Sequence, residues 1–571
     1  MSNNPQPRHS TTGRSTPVER ATFTPRGRVV VTVVAVLVVL GLTTGIASAT
    51  GSSLAWLFGI PMTVVAALVG ILGRSAVFTV ASTILPGLGL LGARSRIAKV
   101  LGVVLPVAML GFIAWQGLSA STDFGDFAGF VVNPSELRTF TVVMVAVGLL
   151  WVTMIAGTHL LTRPKGWSWG RRALGAILVA ALSFGVAGSA ALAARYAYDT
   201  KKLVNTVFPS QDEVKSTSRP SIDAKEKDPW KNTPRLNILL VGADSANARD
   251  KAFSLRADTL MVASIDTTTG ATTLVQIPRN VQYTPFPEGS EMAEEFPRGF
   301  RGEGDPAQWF INAMWEKTEL EYPHLFEGQT YRGAEALKQG VQGITGLKID
   351  YFMLLNIDGV QRLIDAMGGV TVNINRRLPV AGNTTGKRPT SWLEPGPDQR
   401  LGGYDAMWYA RSRSDSSDYE RMGRQSCLVN AIIKQANPAT MLSSYEAIAA
   451  ASADMVMTDI PQQVLEPMVS LSLKVKDADI TRLVFSPGKN GYDFARPDFE
   501  AMNQAVQDAI APVTASVTPL PTATSTPDAT PTTESPATTS PSPEPSVSPT
   551  ATLVEGAQGV EDACAYNPSD E

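Results

Sequence analysis

Cysteine and histidine are scarce in this chain, which has only 2 Cys and 3 His in 571 residues. Two cysteines, Cys427 and Cys564, exclude a disulfide framework, and whether they form a single bridge cannot be deduced from sequence. Three histidines leave little scope for a His-rich zinc site, and neither CxxC nor HExxH spacing occurs. The formal net charge of -3 averages unlike regions and selects no class of partner. The length indicates more than one domain.

Long apolar segments dominate the first third of the chain. Most are near the ~20 residues needed to cross a bilayer, and they lie at 29–49, 53–72, 76–93, 99–118, 139–161 and 173–195. Because hydrophobic segments continue after the first one, we expect no cleavable signal peptide. The composition as a whole predicts five regions: a disordered cytoplasmic tail (1–28), a transmembrane region (29–195), an extracellular linker (196–233), a globular domain (234–511) and a Pro/Thr/Ser-rich disordered tail (512–571).

The distribution of Lys and Arg predicts the orientation of these spans. The N-terminal tail, the turn at Arg74 and the loops ARSRIAK and TRPKGWSWGRR are expected to be cytoplasmic, and the acidic loop STDFGDFAGF external. Six full spans cannot satisfy these assignments. The segment with ILPGLGLLG is short and broken by Pro86 and Gly87, so we expect it to be re-entrant or interfacial. About five spans then place the globular domain outside the cell, which argues against nucleic-acid binding.

Within the globular region, strand and helix patterns alternate. LNILLVG predicts a buried strand, and DTLMVASID and ATTLVQIP predict two strands joined by the turn TTTG. QWFINAMWEKTEL and YRGAEALKQGVQGI have helical periodicity, and DYFMLLNID and TVNI predict strands on either side of the helix GVQRLIDAM. This interleaving indicates an α/β domain with a sheet covered on both faces.

The stretch WYARSRSDSSDYERMGRQS concentrates basic residues at the start of a predicted helix, Tyr419 to Gln435, with Asp418 as its N-cap. Helical spacing puts Arg421, Arg424 and Gln425 on one stripe, which two apolar residues of the next turns, Leu428 and Ile432, continue.

That phase favours an inward-facing anion site over the alternative, a solvated charged face. The first helical turns already favour an anion through the macrodipole. Arg411 and Arg413 close the preceding helix. Planar guanidinium groups suit a phosphate or pyrophosphate.

Three further loops carry charge where strands are predicted to end. GADS supplies Asp244, RADT supplies Arg256 and Asp258, and IPRN supplies Arg279. Loops from different strands converge at such ends and form ligand sites. Two carboxylates beside several arginines would suit Mg²⁺ bridging a pyrophosphate. The alternative reading makes Asp244 a turn residue and Asp258 a partner of Arg256 or a capping group.

Five blocks in order resemble the signature blocks of the LytR–CpsA–Psr family: NILLVGADS, RADTLMVASID, TLVQIPRN, IDYFMLLNIDGVQRLIDAMGGV and YARSRSDSSDYERMGRQ. The resemblance implies an α–β–α sandwich with a hydrophobic cleft for a lipid, here as an extracellular catalytic domain preceded by a multi-span membrane region. It also implies an enzyme of Gram-positive bacteria that transfers polyprenyl-pyrophosphate-linked glycopolymers to peptidoglycan.

The same resemblance implies roles for individual residues. Asp244 and Asp258 match magnesium-binding aspartates, and Arg256 lies beside the second of them. The pyrophosphate-holding residues are matched by Arg279, Arg411, Arg413 and Gln425, and the last block by Asp418, Arg421 and Arg424. The chain departs from the family pattern at Asn280, which replaces an aspartate, and at Phe310, which replaces a lysine.

The expected chemistry is attack of a sugar hydroxyl on phosphorus, with positioning and charge neutralisation by arginines and Mg²⁺. The catalytic candidates are Asp258, Arg279, Asp418 and Arg421, and either aspartate could act as the base. Apolar residues around Trp315, Phe352 and Leu363 either line a lipid cleft or belong to the ordinary core. Two other functions stay open: a polyprenyl-pyrophosphate phosphatase, and a non-catalytic membrane protein that binds or senses wall polymer.

Overall fold

A mixed seven-stranded sheet forms the centre of the C-terminal half of the chain in the computed structural model. The structure describes residues 64–120, 129–130, 132–224, 226–243, 255–381, 388–412, 417–436, 456–511 and 557–568. The chain divides into two compact units, one of Met1–Thr122 with Thr139–Tyr196 and one of Asp123–Arg138 with Ala197–Glu571. The sheet belongs to the second unit.

Strands and helices alternate through the second unit. The strands of the described residues are β1 (Arg235–Ala243), β2 (Ala257–Asp266), β3 (Thr272–Ile277), β4 (Tyr351–Asn356), β5 (Val370–Ile374), β6 (Leu378–Val380), β7 (Ser391–Leu393), β8 (Gly396–Leu401), β9 (Val456–Thr458), β10 (Ile480–Val484) and β11 (Ala557–Gly559). The α-helices are α1 (Arg74–Ile84), α2 (Arg96–Ala120), α3 (Pro134–Thr162), α4 (Trp169–Val207), α5 (Glu291–Glu295), α6 (Met314–Glu321), α7 (Arg332–Thr345), α8 (Ile357–Ala366), α9 (Gly403–Arg411), α10 (Asp418–Gln435), α11 (Leu465–Asp477), α12 (Phe499–Ile510) and α13 (Val560–Ala563).

The central sheet has the strand order β11-β10-β3-β2-β1-β4-β9. β1 is parallel to β4 and antiparallel to β2, while β3 is antiparallel to β2 and parallel to β10. The pairs β5–β8 and β6–β7 form two small separate sheets. The predicted α/β class is therefore confirmed, although the strand predicted at TVNI (β5) lies outside the central sheet.

Helices cover the sheet on both faces. Successive side chains of each strand point to opposite sides, so apolar strand residues need a covering layer on each face. Leu239 and Val241 belong to a first core, which is completed by α6, α7 and α12. Leu236 and Leu240 point the other way, where α11 and α10 pack. The buried strand predicted at LNILLVG is therefore confirmed.

Two helices of the described residues, α3 and α4, are long and apolar enough to cross a membrane. The predicted segment 76–93 is not one helix: α1 ends at Ile84, and a 3₁₀ turn (Leu88–Gly92) follows. Gly87, at φ 85°, makes the break, because this left-handed conformation favours glycine. Residues 29–63 lie outside the described residues, so the number of spans and their direction stay predictions.

The region predicted as a polar linker, 196–233, is part of the second unit from Ala197 onward and contributes to its core. Helix α4 continues to Val207, and Val204 and Trp230 are buried in a core with Tyr351. The Lys215 backbone N–H donates to Thr330 Oγ1 at 2.9 Å. Composition alone predicted a linker because the few apolar residues that pack into the core, such as Val204 and Trp230, are surrounded in sequence by many polar residues.

The region 512–571 is likewise not a disordered tail throughout. Its described end, 557–568, contributes β11, which pairs with β10 through Arg482 and Gln558. Val560 of α13 is fully buried. Cys427 and Cys564 form a disulfide that joins α10 to this segment. The Pro/Thr/Ser composition of the preceding residues concealed a short element that is ordered by pairing and by a covalent bond.

We expect the Cys427–Cys564 bridge to stabilise the second unit, because it joins residues 137 positions apart and so restricts the unfolded chain. Reduction of the full-length chain in detergent should lower its free energy of unfolding by about 2–4 kcal/mol. Unfolding followed by tryptophan fluorescence measures this change. The Cys427→Ser/Cys564→Ser double variant should match the reduced protein and ignore reductant. Equal stability of the oxidised and reduced chains would contradict the expectation.

Candidate active site

The candidate site lies at one edge of the sheet, where the ends of four strands meet. Gly242 near the end of β1 pairs with Thr259 at the start of β2, and Leu260 pairs with Ile277 at the end of β3. Asn356 ends β4 beside the end of β1. This register puts two predicted residues, Asp258 and Arg279, at the same edge, as the strand predictions imply.

Helix α10 begins one residue earlier than predicted, and Ser417 rather than Asp418 is its N-cap. The Ser417 hydroxyl accepts from the Glu420 backbone N–H, and the Glu420 carboxylate accepts from the Ser417 backbone N–H. This reciprocal capping box relieves Asp418 of the capping role. The sequence contains the S-x-x-E spacing that predicts this capping box, at Ser417 and Glu420.

Asp258, Arg279, Asp418 and Arg421 form a continuous chain of ion pairs, which we call the charged quartet. Arg279 Nη1 donates to Asp258 Oδ1 at 2.8 Å, and Arg279 Nε lies 3.9 Å from Asp418 Oδ2. Arg421 donates to both oxygens of Asp418, at 3.2 Å and 2.9 Å. The quartet therefore joins the ends of β2 and β3 to the first turn of α10.

The quartet is balanced in charge, since two guanidinium groups face two carboxylates. The Arg421 side chain is only 5% exposed, whereas those of Arg279, Asp418 and Asp258 are 29%, 30% and 39% exposed. Burial strengthens such pairs because solvent screens them less. A ligand with two or more negative charges would need further cations, and Arg411 lies on the same wall.

Arg424 and Gln425 bind the end of the preceding helix, α9. Arg424 donates to the backbone carbonyls of Tyr409 and Ser412, and Gln425 Nε2 donates to the Ala410 carbonyl at 3.4 Å. Burial lowers the pKa of the Arg424 guanidinium and raises the pKa of the Tyr409 hydroxyl to about 12. Arg424 thus fixes the α9 terminus that carries Arg411, and only Gln425 of this pair lines the cleft.

Arg256 faces away from the cleft. Its Nε lies 3.3 Å from Glu316 Oε2, and its Nη2 donates to Gln308 Oε1 at 3.1 Å. The two remaining predicted site residues, Asp244 and Arg413, lie outside the described residues.

A cleft of about 580 Å³ opens beside the quartet, between the sheet and helices α8, α9 and α10. Asp258, Arg279, Arg421 and Gln425 line its polar end. The remainder is mainly apolar, with walls that include Leu240, Met261, Val360, Trp408, Leu428 and Val429. A long apolar chain with an anionic head matches this division.

The apolar walls are not the ones expected around Trp315 and Phe352. These two rings are fully buried in the first core, with their centroids 5.6 Å apart, on the opposite face of the sheet. Leu363, which is a residue of α8, packs against a separate core. The core interpretation of Trp315 and Phe352 is therefore correct, and the cleft uses the alternate residues of the same sheet.

Two cleft-lining residues escaped the sequence analysis. Asn356 caps α8 through Oδ1, which accepts from the Gly359 backbone N–H, and its buried Nδ2 has no hydrogen-bond partner among the described residues. The buried Ser412 Oγ also lacks one within the described part of the chain. The strand-to-helix junction at NID predicts a capping asparagine, but nothing in the pattern predicts a spare donor.

The donor set suits a hard cation whose coordination the substrate completes. Asp258 uses one carboxylate oxygen for Arg279, and its other oxygen has no hydrogen-bond partner among the described residues. Within those residues no group of three His, Cys, Asp or Glu side chains could hold a metal alone. Mg²⁺ commonly binds through one or two carboxylates plus substrate phosphates and water, which fits this arrangement.

Comparison with known proteins locates the relatives of this chain. The model of the LytR_cpsA_psr family matches residues 198–507, which is just over half of the length of this chain. Biofilm regulatory protein A of Streptococcus mutans is 24% identical over 39% of this chain and 50% of that protein, so the chain spans half of the relative. An Enterococcus faecalis protein named polyisoprenyl-teichoic acid–peptidoglycan teichoic acid transferase TagU is 23% identical over 56% of this chain and 89% of that one. The crystal structure of Bacillus subtilis TagV aligns at 20% identity over 48% of this chain and 96% of that one, with a TM-score of 0.34.

Arg424 and Arg279 should differ in their effects on stability. Arg424→Ala removes the partner of two backbone carbonyls at the end of α9 and should cost about 1–3 kcal/mol of unfolding free energy. Arg279→Ala removes a side chain that is 29% exposed and should cost less than about 1 kcal/mol. Denaturant unfolding of the full-length chain measures both, with Arg377→Ala, a more exposed ion-paired arginine, as control. A loss for Arg279→Ala as large as that for Arg424→Ala would assign Arg279 a structural role.

Proposed function

We propose, since the chain belongs to the LytR_cpsA_psr family, that it is a membrane-anchored extracellular transferase of cell-wall assembly. It moves a glycopolymer from a polyprenyl-pyrophosphate carrier onto peptidoglycan. The name of the Enterococcus faecalis relative supports this reaction class. The apolar helices α3 and α4 support the membrane anchor. A location outside the cytoplasm follows from the predicted topology.

One observation carries the proposal: the charged quartet stands at the polar end of an otherwise apolar cleft. A polyprenyl chain would lie along the apolar walls and leave its pyrophosphate beside Arg279 and Arg421. A planar guanidinium matches the geometry of phosphate oxygens and keeps its charge at any physiological pH. The site would hold a lipid pyrophosphate better than either a free sugar or a neutral lipid.

The arginines divide the work of holding the pyrophosphate. Arg279 and Arg421 would border the head group directly, and Arg411 and Gln425 would close it from the α9 side. For Arg413, the pyrophosphate-binding role rests on the family resemblance alone. Arg424 acts through the α9 terminus, which it binds. Arg256 is held by Glu316 and Gln308 and faces away from the cleft, so we assign it no contact with the pyrophosphate.

In the proposed reaction, the oxygen of an acceptor sugar hydroxyl attacks the phosphorus nearest the glycopolymer. A phosphorus–oxygen bond to the acceptor forms, and the bond to the bridging oxygen breaks. Polyprenyl phosphate leaves with that electron pair, and the hydroxyl proton passes to a carboxylate. Charge stabilisation by prearranged groups supplies most of the acceleration in such transfers.

The two candidate carboxylates differ in their freedom to act. Asp418 has both oxygens committed to Arg421 and lies beside Arg279, so it serves to position the two guanidinium groups. Asp258 keeps one oxygen available. We assign the proton-accepting or cation-holding role to Asp258, with Asp244 as the second metal ligand. Mg²⁺ bound there would neutralise the charge that accumulates on the pyrophosphate.

Replacing Arg279 should abolish transfer without unfolding the protein. Removal of one prearranged charge-stabilising donor lowers kcat by about 100-fold to 1000-fold. The assay uses full-length chain in detergent with Mg²⁺, a polyprenyl-pyrophosphate-linked oligosaccharide and uncross-linked peptidoglycan strands, and it measures label attached to the strands. Arg279→Ala should lose the activity, and chelation of Mg²⁺ should have a similar effect.

Arg377→Ala is the matched control, because this arginine also pairs with a carboxylate, Glu394, but is more than half exposed and does not line the cleft. It should retain full activity. Product analysis separates transfer from hydrolysis. Label released as free phosphosugar, or strand labelling that survives Arg279→Ala, would contradict the proposal.

A further inference from the structure

Three partly exposed aromatic side chains lie on the backbone segments around Arg279, outside the residues that line the cleft; we call Tyr283, Phe310 and Phe494 the aromatic surface. The rings of Phe310 and Phe494 meet edge to face, with centroids 5.9 Å apart. Tyr283 and Phe494 are each 43% exposed. Arg301 lies over the Tyr283 ring, 5.4 Å from its centroid. Large rings left this exposed beside a polar site are candidates for ligand contacts.

Hydrogen bonds connect this surface to the backbone around Arg279. The Asn312 N–H donates to the Arg279 carbonyl at 3.2 Å, which places Phe310 two residues from that contact. From the other side, Gln282 Nε2 donates to the Phe494 carbonyl at 3.1 Å. The segment that carries Arg279 and Tyr283 therefore runs between the strips that carry the two phenylalanines.

The aromatic surface follows the first-core face of the sheet, and the cleft opens mainly on the other face. The residues next to the surface, Val281 and Ile311, are buried in the first core. The cleft is lined by Leu240 and Met261, which belong to the other face of the sheet. Arg279 follows the end of β3 at the sheet edge, so it stands between the two faces.

The geometry of phosphoryl transfer makes this placement informative. Attacking and leaving oxygens lie roughly in line across the reacting phosphorus. If the departing polyprenyl phosphate occupies the cleft, the attacking hydroxyl must approach from the side of the aromatic surface. We infer that this surface binds the acceptor, a β-linked amino-sugar strand of peptidoglycan, an inference that rests on the proposed function.

The chemistry of the surface fits a sugar ring. A pyranose presents a flat C–H face, which packs on an aromatic ring, and an edge of hydroxyl and amide groups. Phe310, Phe494 and Tyr283 supply the rings, while Gln282 and Arg301 supply polar groups at the rim. A lipid tail would find this rim unfavourable, because it cannot satisfy the polar groups.

The test measures acceptor binding apart from turnover. Full-length chain in detergent is titrated with soluble uncross-linked peptidoglycan strands, and separately with the polyprenyl-pyrophosphate-linked oligosaccharide. Phe494→Ala and Tyr283→Ala should each weaken strand binding about tenfold, the effect expected for the loss of one stacked ring. Phe494→Trp should restore it, and donor binding should not change.

Tyr566→Ala is the matched control, since Tyr566 is 39% exposed and lies in the C-terminal segment. It should bind strands like the unmodified chain. Strand binding unchanged within twofold in both ring variants, or no strand binding by the unmodified chain, would overturn the inference. Ring-dependent strand binding without transfer would support it and contradict only the proposed reaction.

Discussion

The candidate site depends on one interaction: the Arg279 guanidinium pairs with the carboxylates of both Asp258 and Asp418. It joins the sheet edge to the first turn of α10, and through Asp418 it reaches the buried Arg421. Because a buried or half-buried charge is stable only when paired, each member keeps its neighbour in place. The result is a connected array of charge at the polar end of a mainly apolar cleft.

Charge balance within the quartet shapes what it can bind. Two arginines matched by two aspartates leave little net attraction for a dianion. Under the proposed function, a pyrophosphate would therefore need Arg411 and a divalent cation as well, and the two ligands would depend on each other to bind. The roles of the arginines also differ, because Arg424 is used to fix the α9 terminus rather than to face the cleft.

Sequence patterns predicted the parts of this unit that depend on local periodicity. Apolar runs such as LNILLVG predicted β1 to β4, and helical phase predicted that Arg421 faces inward. The convergence of Asp258 with Arg279 followed from the strand ends. The predictions were wrong where packing between residues distant in sequence determines the structure. No local pattern assigns Phe352 to one face of a sheet and Leu240 to the other.

The same limit explains the segments at both ends of the second unit. Trp230 and Val204 dock only because a core made by distant residues receives them. Ordering of 557–568 depends on a strand and a cysteine that lie far away in sequence. The aromatic surface could not be recognised either, since folding brings Phe310 and Phe494 together from distant positions in the sequence.

The most direct measurement of the central claim is native mass spectrometry of the full-length chain extracted from its own membrane. If the quartet and cleft hold a lipid pyrophosphate, the protein should carry an isoprenoid bearing one or two phosphates. A variant with Val360→Trp, which would fill the cleft, should lose that adduct. A chain that carries no lipid, or only bilayer phospholipid that the filled cleft retains equally, would contradict the account.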